Sequence, residues 1–382
     1  MGLVFSRRLK TLLTDFGAFA DAATGRPSGV SATPERGTYF TPCEHYSLVN
    51  ALLGYLLLAV ASTGVIWKGS ELLERAAERL SKHYGLPVAV HGAVVVAIGS
   101  SFPELSSVVL STLIHGEFSL GVGAIVGSAI FNLLVIPAAA ALASEQLETT
   151  RDIVHKDAQF YIISVLVLFI TFALGATYVP GGTNAEAILT PTLVLMPLAT
   201  YAIYVFLQYQ DTRDHAAKPI EVNVPRELGT LAVSLLLITI GVEGIVRAAL
   251  GFGEIFGTPS FLWGLTVIAA ATSLPDAFVS VRAARVDDSV TSLTNVLGSN
   301  TFNLLVAIPV GVLISGPTTV SFLAAVPMMG FLAFATLVFV IVTRTHLELT
   351  DPEAYGLLAL YLLFLAWMTL ETFGVVETVR GI

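Results

Sequence analysis

Glu104 and Asp276 stand in otherwise apolar runs, each directly after a proline. Glu104 closes Gly99-Ser100-Ser101-Phe102-Pro103-Glu104, and Asp276 closes Ala271-Thr272-Ser273-Leu274-Pro275-Asp276. A second polar element comes after each: Gly127-Ser128-Ala129-Ile130-Phe131-Asn132, then Gly298-Ser299-Asn300-Thr301-Phe302-Asn303. The prolines are 172 residues apart, and Gly127 and Gly298 are 171 apart. On a helix, Ser101 and Glu104 share a face, as do Ser273 and Asp276, Ser128 and Asn132, and Ser299 and Asn303. Ser100 and Thr272 add neighbouring hydroxyls. Proline removes a backbone donor and frees a carbonyl one turn earlier, and glycine loosens the helix further, so Pro103 and Pro275 mark expected breaks. There the carbonyls of Ala97 and Ala269 can turn inward as cation ligands. The donor set is all oxygen, with no Cys or His cluster. It selects hard cations: Ca²⁺ with six to eight flexible ligands, Mg²⁺ in a rigid octahedron, or Na⁺ on hydroxyls and carbonyls.

The elements that position these residues are membrane helices. The 382-residue chain is 55% hydrophobic and only 12% charged, with mean hydropathy +0.80, against about a quarter charged in soluble proteins. Several charge-free segments run for about 20 residues, the length of a spanning helix and twice that of a barrel strand. A carboxylate at midplane costs about 2.5–3.5 kcal/mol even on the lenient insertion scale, so Glu104 and Asp276 read as functional. Net charge −9 offers no basic field for nucleic acid. The one cysteine, Cys43, excludes an intrachain disulfide.

Residues 1–45 read as a polar tail, and Ser6-Arg7-Arg8-Leu9-Lys10 is disfavoured as an export signal because Asp15 interrupts the apolar stretch that such a signal needs. Residues 46–208 hold five expected spans: 46–67, 88–111, 120–143, 158–177 and 187–208. A helix over 68–84 leaves the membrane after the first. A polar connection covers 209–227. Residues 228–382 then supply spans at 228–250, 260–281, 290–314, 321–342 and 354–370.

The repeat extends beyond the motifs. At the offset of 172, Gly69 meets Gly241, Glu71 meets Glu243, Arg75 meets Arg247, Ala76 and Ala77 meet Ala248 and Ala249, and Pro87 meets Pro259. Five spans per half is odd, so the second copy enters from the opposite side, giving ten transmembrane helices as two inverted five-helix repeats. The odd-to-even connections carry 12 Lys and Arg. The other side carries 2, or 7 with the tail. Positive charge inside puts both termini outside and the 209–227 connection in the cytoplasm.

These motifs resemble the α-repeats of the Ca²⁺/cation antiporter superfamily, the sodium/calcium exchangers, which read roughly G-[TS]-S-x-P-[ED] and G-S-[NA]-x-x-[ND]. The resemblance spans about residues 46–370. It implies Na⁺/Ca²⁺ antiport by alternating access in the cell membrane, with Na⁺, Ca²⁺ and lipid as partners, no cofactor and no obligate protein partner. By position it makes Glu104 and Asp276 central Ca²⁺ ligands shared with Na⁺. It gives Ser101, Ser273, Ser128, Ser299 and the Ala97 and Ala269 carbonyls to Na⁺, and sets Asn132 and Asn303 beside the centre. The first and sixth helices would slide across the other eight. Four departures stand out: Ser100 where Thr is commoner, Ala129 where many members have Asn, Ala271 where Gly is usual and a stiffer break is expected, and Asn303 where K⁺-dependent members typically carry Asp. The last argues against K⁺ co-transport. The short connection leaves no room for a Ca²⁺-sensing domain.

Other residues read more plainly. Glu71 with Arg75 and Glu243 with Arg247 are expected as interfacial ion pairs, His91 and His115 as satisfied or interfacial histidines, and Asp287 and Asp288 as a solvated loop. A Ca²⁺/H⁺ exchanger of the same fold is the main rival. A serine enzyme lacks its base, since His91 lies about 15 Å along the axis from Ser101, and a channel fits inverted broken-helix repeats less well.

Overall fold

The computed structural model describes residues 42–84, 97–144, 147–148, 156–178, 186–212, 221–286, 288–345, 347–372 and 375–376. In chain order its elements are α1 Pro42–His83, α2 Ala97–Ser100, α3 Phe102–Leu113, α4 Phe118–Leu134, α5 Ile136–Ala143, β1 Leu147–Glu148, α6 Ala158–Tyr178, β2 Glu186–Leu189 and α7 Leu195–Thr212. The second half gives α8 Val224–Phe256, α9 Ser260–Trp263, a π-helical segment Gly264–Ile268, α10 Ala269–Ala284, α11 Ser289–Phe302, a second π segment Asn303–Ala307, α12 Ile308–Ser315, β3 Thr318–Ser321, α13 Phe322–Arg344, β4 Glu348–Leu349 and α14 Asp351–Thr372. Eight helical stretches among the described residues are long and apolar enough to cross a membrane, and α3 is a shorter apolar helix. Leu53, Leu57, Val60, Leu337, Ile341 and Leu363 are exposed on α1, α13 and α14, as expected of faces turned to lipid rather than water.

The interior is built around α4. Of its 17 residues only Ser119 escapes full burial, and the continuous stretch Phe118–Ala143 is the most buried of the eight. Small residues make this possible, because they let backbones approach without a hydrophobic drive between helices. A methyl built on Gly127 would fall 2.0 Å from the Leu265 carbonyl oxygen, and one on Gly264 would fall 2.1 Å from that of Leu120.

The two long helices α1 and α8 pack against each other reciprocally. A methyl on Gly69 would meet Ile238 Cγ1 at 2.7 Å and the Ser234 carbonyl, while one on Gly241 would meet Ile66 Cγ1 at 2.7 Å and the Ser62 carbonyl. Each of these residues maps onto its counterpart at the offset of 172. The strands repeat the exchange: β1 pairs antiparallel with β4 and β2 with β3. The first strand of each half thus clasps the second strand of the other.

Several boundaries differ from the sequence reading. Helix α1 starts at Pro42, inside the expected tail, and runs unbroken through Lys68–His83, which the charge pattern had separated from the first span. Helix α7 begins eight residues late because Glu186–Leu189 is extended and pairs with Thr318–Ser321. Asp288 is an N-cap accepting from Thr291 N at 3.0 Å, which a loop reading of that acid had not foreseen. His91, Asp287 and the export-signal-like residues 6–10 lie outside the described residues.

Candidate functional site

The expected break in the first half is present. Ser101, at φ −90° and ψ 7°, separates α2 from α3, whose first turn holds Pro103 and Glu104. Such bridge-region backbone is common where side chains are aimed at a site. The second half does not break at its proline. Pro275 lies inside the continuous helix α10, and the irregularity falls earlier, as the π turn Gly264–Ile268. Ala271 in place of glycine keeps the backbone helical there, and the wider π turn takes up the mismatch. Ala269, expected at an unwound carbonyl, instead opens α10, and its carbonyl lies 3.4 Å from the Thr272 hydroxyl. Ala97 opens the short α2.

The structure brings the two halves of the motif set together. Glu104, Asp276, Ser100, Ser101, Ser128, Ser273, Ser299, Asn132 and Asn303 are all buried. Ser128 donates to Glu104 Oε1 at 3.4 Å and shares a 2.7 Å hydrogen bond with Ser273 across the halves. A second cross-half pair joins Ser100 and Ser299 at 2.9 Å, beside Asp276, with Ser100 in the place that the repeat would give to Ser101. Ser101 Oγ donates to the Ser299 carbonyl at 3.4 Å. Thr272 sits beside Glu104, but its hydroxyl donates to the Ile268 carbonyl of its own helix at 3.0 Å. Asn132 Nδ2 reaches Asp276 Oδ2 at 3.5 Å. Ser128 and Asn132 are one turn apart on α4, about 6 Å along its axis, so α4 spans the two carboxylates.

Glu104 Oε2, Asp276 Oδ1, Asn132 Oδ1 and both polar atoms of Asn303 are buried without a hydrogen-bond partner. Leaving one such atom unpaired costs about 1–3 kcal/mol, and more for a charged group. The three oxygens of Glu104, Asp276 and Asn132, linked through Ser128 and Asn132, suit bound hard cations, whose charge would offset the desolvation of two acids. Among the described residues there is no cluster of three or more His, Cys, Asp or Glu.

Two further features flank the site. Glu243, fully buried on α8, holds Arg247 Nε at 2.8 Å and His115 Nε2 at 3.1 Å, joining the 113–118 turn to α8. The equivalent Glu71 pairs with Lys68 and Arg75 on an exposed face. A cavity of about 270 Å³ opens there, lined by Trp67, Glu71, Glu74, Arg75, Pro275 and Phe278. It therefore reaches the residue next to Asp276. Sequence reasoning missed Asn300, which links to Asn132 at 3.0 Å and to the Ala129 carbonyl at 3.1 Å. The mismatch of Asn300 against Ala129 between the repeats was its one signal.

The model of the family described as sodium/calcium exchanger protein matches residues 54–210 and 227–370, most of the chain. The chain belongs to that family. Within the Ca²⁺/cation antiporter superfamily it is of the prokaryotic type, a multi-pass integral membrane protein and a cation/Ca²⁺ antiporter rather than an enzyme. Sodium/calcium exchanger MaX1 of Methanosarcina acetivorans is 26% identical over 349 residues, covering 82% of this chain and 97% of its own. Inner membrane protein YrbG of Escherichia coli is 27% identical over 271 residues, 69% and 81% of the two chains. The antiporter shares its fold with the sodium-calcium exchanger NCX_Mj (TM-score 0.56, 22% identity, 82% and 97% covered) and with the H⁺/Ca²⁺ exchanger CAX (TM-score 0.65, 16% identity, 85% of each).

Proposed function

We propose that this antiporter exchanges Na⁺ for Ca²⁺, several Na⁺ against one Ca²⁺, at a single shared site with Glu104 and Asp276 as its central ligands. One observation carries the reading: two fully buried carboxylates, each with an unpartnered oxygen, face two cross-half hydroxyl pairs. Carboxylate and amide oxygens supply Ca²⁺. The hydroxyls of Ser128, Ser273, Ser299 and Ser101 are donors for Na⁺ when Ca²⁺ has left, whereas a proton needs only the acids. Ser100 extends that ring. Asn303, lacking a charge, favours K⁺ independence.

Two inverted repeats of five spans account for the reciprocal contacts, with α2–α3 and α7 joining the eight long stretches to make ten. In this reading residues 46–208 and 228–382 are the repeats. The protein sits in the cell membrane with both termini outside and 209–227 in the cytoplasm. The cavity beside Glu74 then opens inward, and the Glu243 cluster closes the outer side. Alternating access proceeds by α1 and α8 sliding across the rest, which exchanges these two environments.

Purified protein in Na⁺-loaded vesicles should take up radiolabelled Ca²⁺ when external Na⁺ is removed, faster when the interior is kept from becoming negative as Na⁺ leaves. Uptake driven by a pH gradient and not by Na⁺ would replace this reading with the Ca²⁺/H⁺ exchanger. Glu104→Gln and Asp276→Asn should each lower uptake at least about 100-fold with normal elution from a sizing column. Retained exchange in either would refute the shared site.

A further inference from the structure

We infer that Asn300 is a positioning residue that fixes the orientation of the Asn132 carboxamide, with its NH₂ group toward Asp276 and its oxygen left free for a cation. This rests on the reading of Glu104 and Asp276 as the cation site. The constraints start at a backbone carbonyl, which can only accept. The Ala129 carbonyl takes a hydrogen bond from Asn300 Nδ2 at 3.1 Å, so the Asn300 amide has one orientation and its Oδ1 faces away from Ala129. That oxygen, also only an acceptor, takes Asn132 Nδ2 at 3.0 Å. With its NH₂ group committed to Asn300 Oδ1 and, at 3.5 Å, to Asp276 Oδ2, Asn132 keeps its Oδ1 buried and without a hydrogen-bond partner, as are Glu104 Oε2 and Asp276 Oδ1. Turning the Asn132 amide over would set oxygen against oxygen at both Asn300 and Asp276 and put an NH₂ group where the unpartnered oxygen now stands. Amide orientation is set by such networks, and here the network ends on a group with no choice.

The second half is a control built into the same molecule. Asn303 stands where Asn132 stands in the first repeat, and its supporting amide would come from position 129. That residue is alanine. Both ends of the Asn303 amide are buried and unpartnered, so one amide of the site is held and its counterpart is not. A ligand dipole held in place binds a cation without the cost of being oriented at the moment of binding.

The test is a double-mutant cycle on Ca²⁺ affinity, measured by equilibrium binding to the purified full chain in detergent and by half-saturating Ca²⁺ for uptake in vesicles. Asn300→Ala should weaken Ca²⁺ binding about 10-fold in the native background, the loss expected for one buried hydrogen bond. In Asn132→Ala the same change should cost less than about 2-fold, because the residue through which Asn300 acts is gone. The maximal uptake rate should stay within about 2-fold in Asn300→Ala, since ligand orientation and not the moving helices is altered. Should Asn300→Ala fail to elute as a single species, Asn300→Ser runs the same cycle. Equal costs in the two backgrounds overturn the positioning role alone. A native protein that binds no Ca²⁺ in detergent and takes up none in vesicles overturns the cation-site reading and this inference with it.

Discussion

Gly127 and Gly298 occupy the same place in the two repeats, and the structure separates them. A methyl built on Gly127 lies 2.0 Å from the Leu265 oxygen and 2.7 Å from Ala269 Cβ, whereas one on Gly298 meets nothing within 4 Å. In Gly127→Ala, α4 and the π segment must part by more than about 1 Å to regain ordinary contact. Overpacking of this kind costs about 1–3 kcal/mol and sometimes more. We take about 3 kcal/mol because both clashing groups are on relatively stiff backbone. At about 2 °C per kcal/mol for a chain of this size, the apparent melting temperature in detergent should fall by about 6 °C. Function should suffer beyond stability. Ser128 is the next residue, and a 1 Å displacement takes its 2.7 Å bond to Ser273 out of hydrogen-bonding range. Uptake by folded protein should therefore drop about 10-fold. Gly298→Ala should melt within about 1 °C of the native protein, or slightly above it, since alanine is favoured over glycine in a helix by about 0.5–1 kcal/mol. Scanning fluorimetry with vesicle uptake decides the matter, and equal losses in the two variants would refute the packing argument.

Glu243→Gln should destabilise by about 3 kcal/mol because it strips Arg247 of a fully buried counter-charge and His115 of its carboxylate partner. Glu71→Gln, at the equivalent but solvent-facing pair, should cost less than about 0.5 kcal/mol; thermal melts of both variants check the contrast. Ser273→Ala and Ser128→Ala each remove one side of the 2.7 Å hydroxyl pair. Each should raise half-saturating Na⁺ about 5-fold while moving half-saturating Ca²⁺ less, read from uptake over a range of both ions. A larger effect on Ca²⁺ than on Na⁺ would remove these hydroxyls from the Na⁺ role.

The residues that meet at the centre were legible because membrane helices tolerate few polar groups. A Ser, Asn or carboxylate repeated at one offset inside an apolar run stands out, and the structure does bring Ser128 to Glu104 and Asn132 to Asp276. Helix type and approximate extent came from the same composition. The features that stayed hidden depend on the partner surface. Pro275 argued locally for a break, yet α10 is continuous and the irregularity falls earlier, at Gly264–Ile268. Leu147–Glu148 and Glu348–Leu349 are strands only because each finds the other across the halves, and two residues carry no periodicity to read. Asn300 looked like an ordinary polar helix residue until its two neighbours were in place. Glu71 and Glu243 occupy equivalent positions, yet Glu71 pairs with Lys68 on an exposed face while Glu243 is buried against His115, a partner from the other half that the repeat does not announce.

The crossed strands bear on how the protein is made. Leu147 and Glu148 pair with Leu349 and Glu348, about 200 residues later, so the first half leaves the ribosome with its clasp open. At about 5–20 residues per second the delay is about 10–40 s. Until residue 273 is made, Glu104 faces the bilayer or the insertion machinery without Ser273, Asp276 or Ser299. A nascent chain arrested before Ser273 should therefore be the species that membrane quality control recognises. The hydrophobic effect cannot rescue it, because lipid is as apolar as the missing helices.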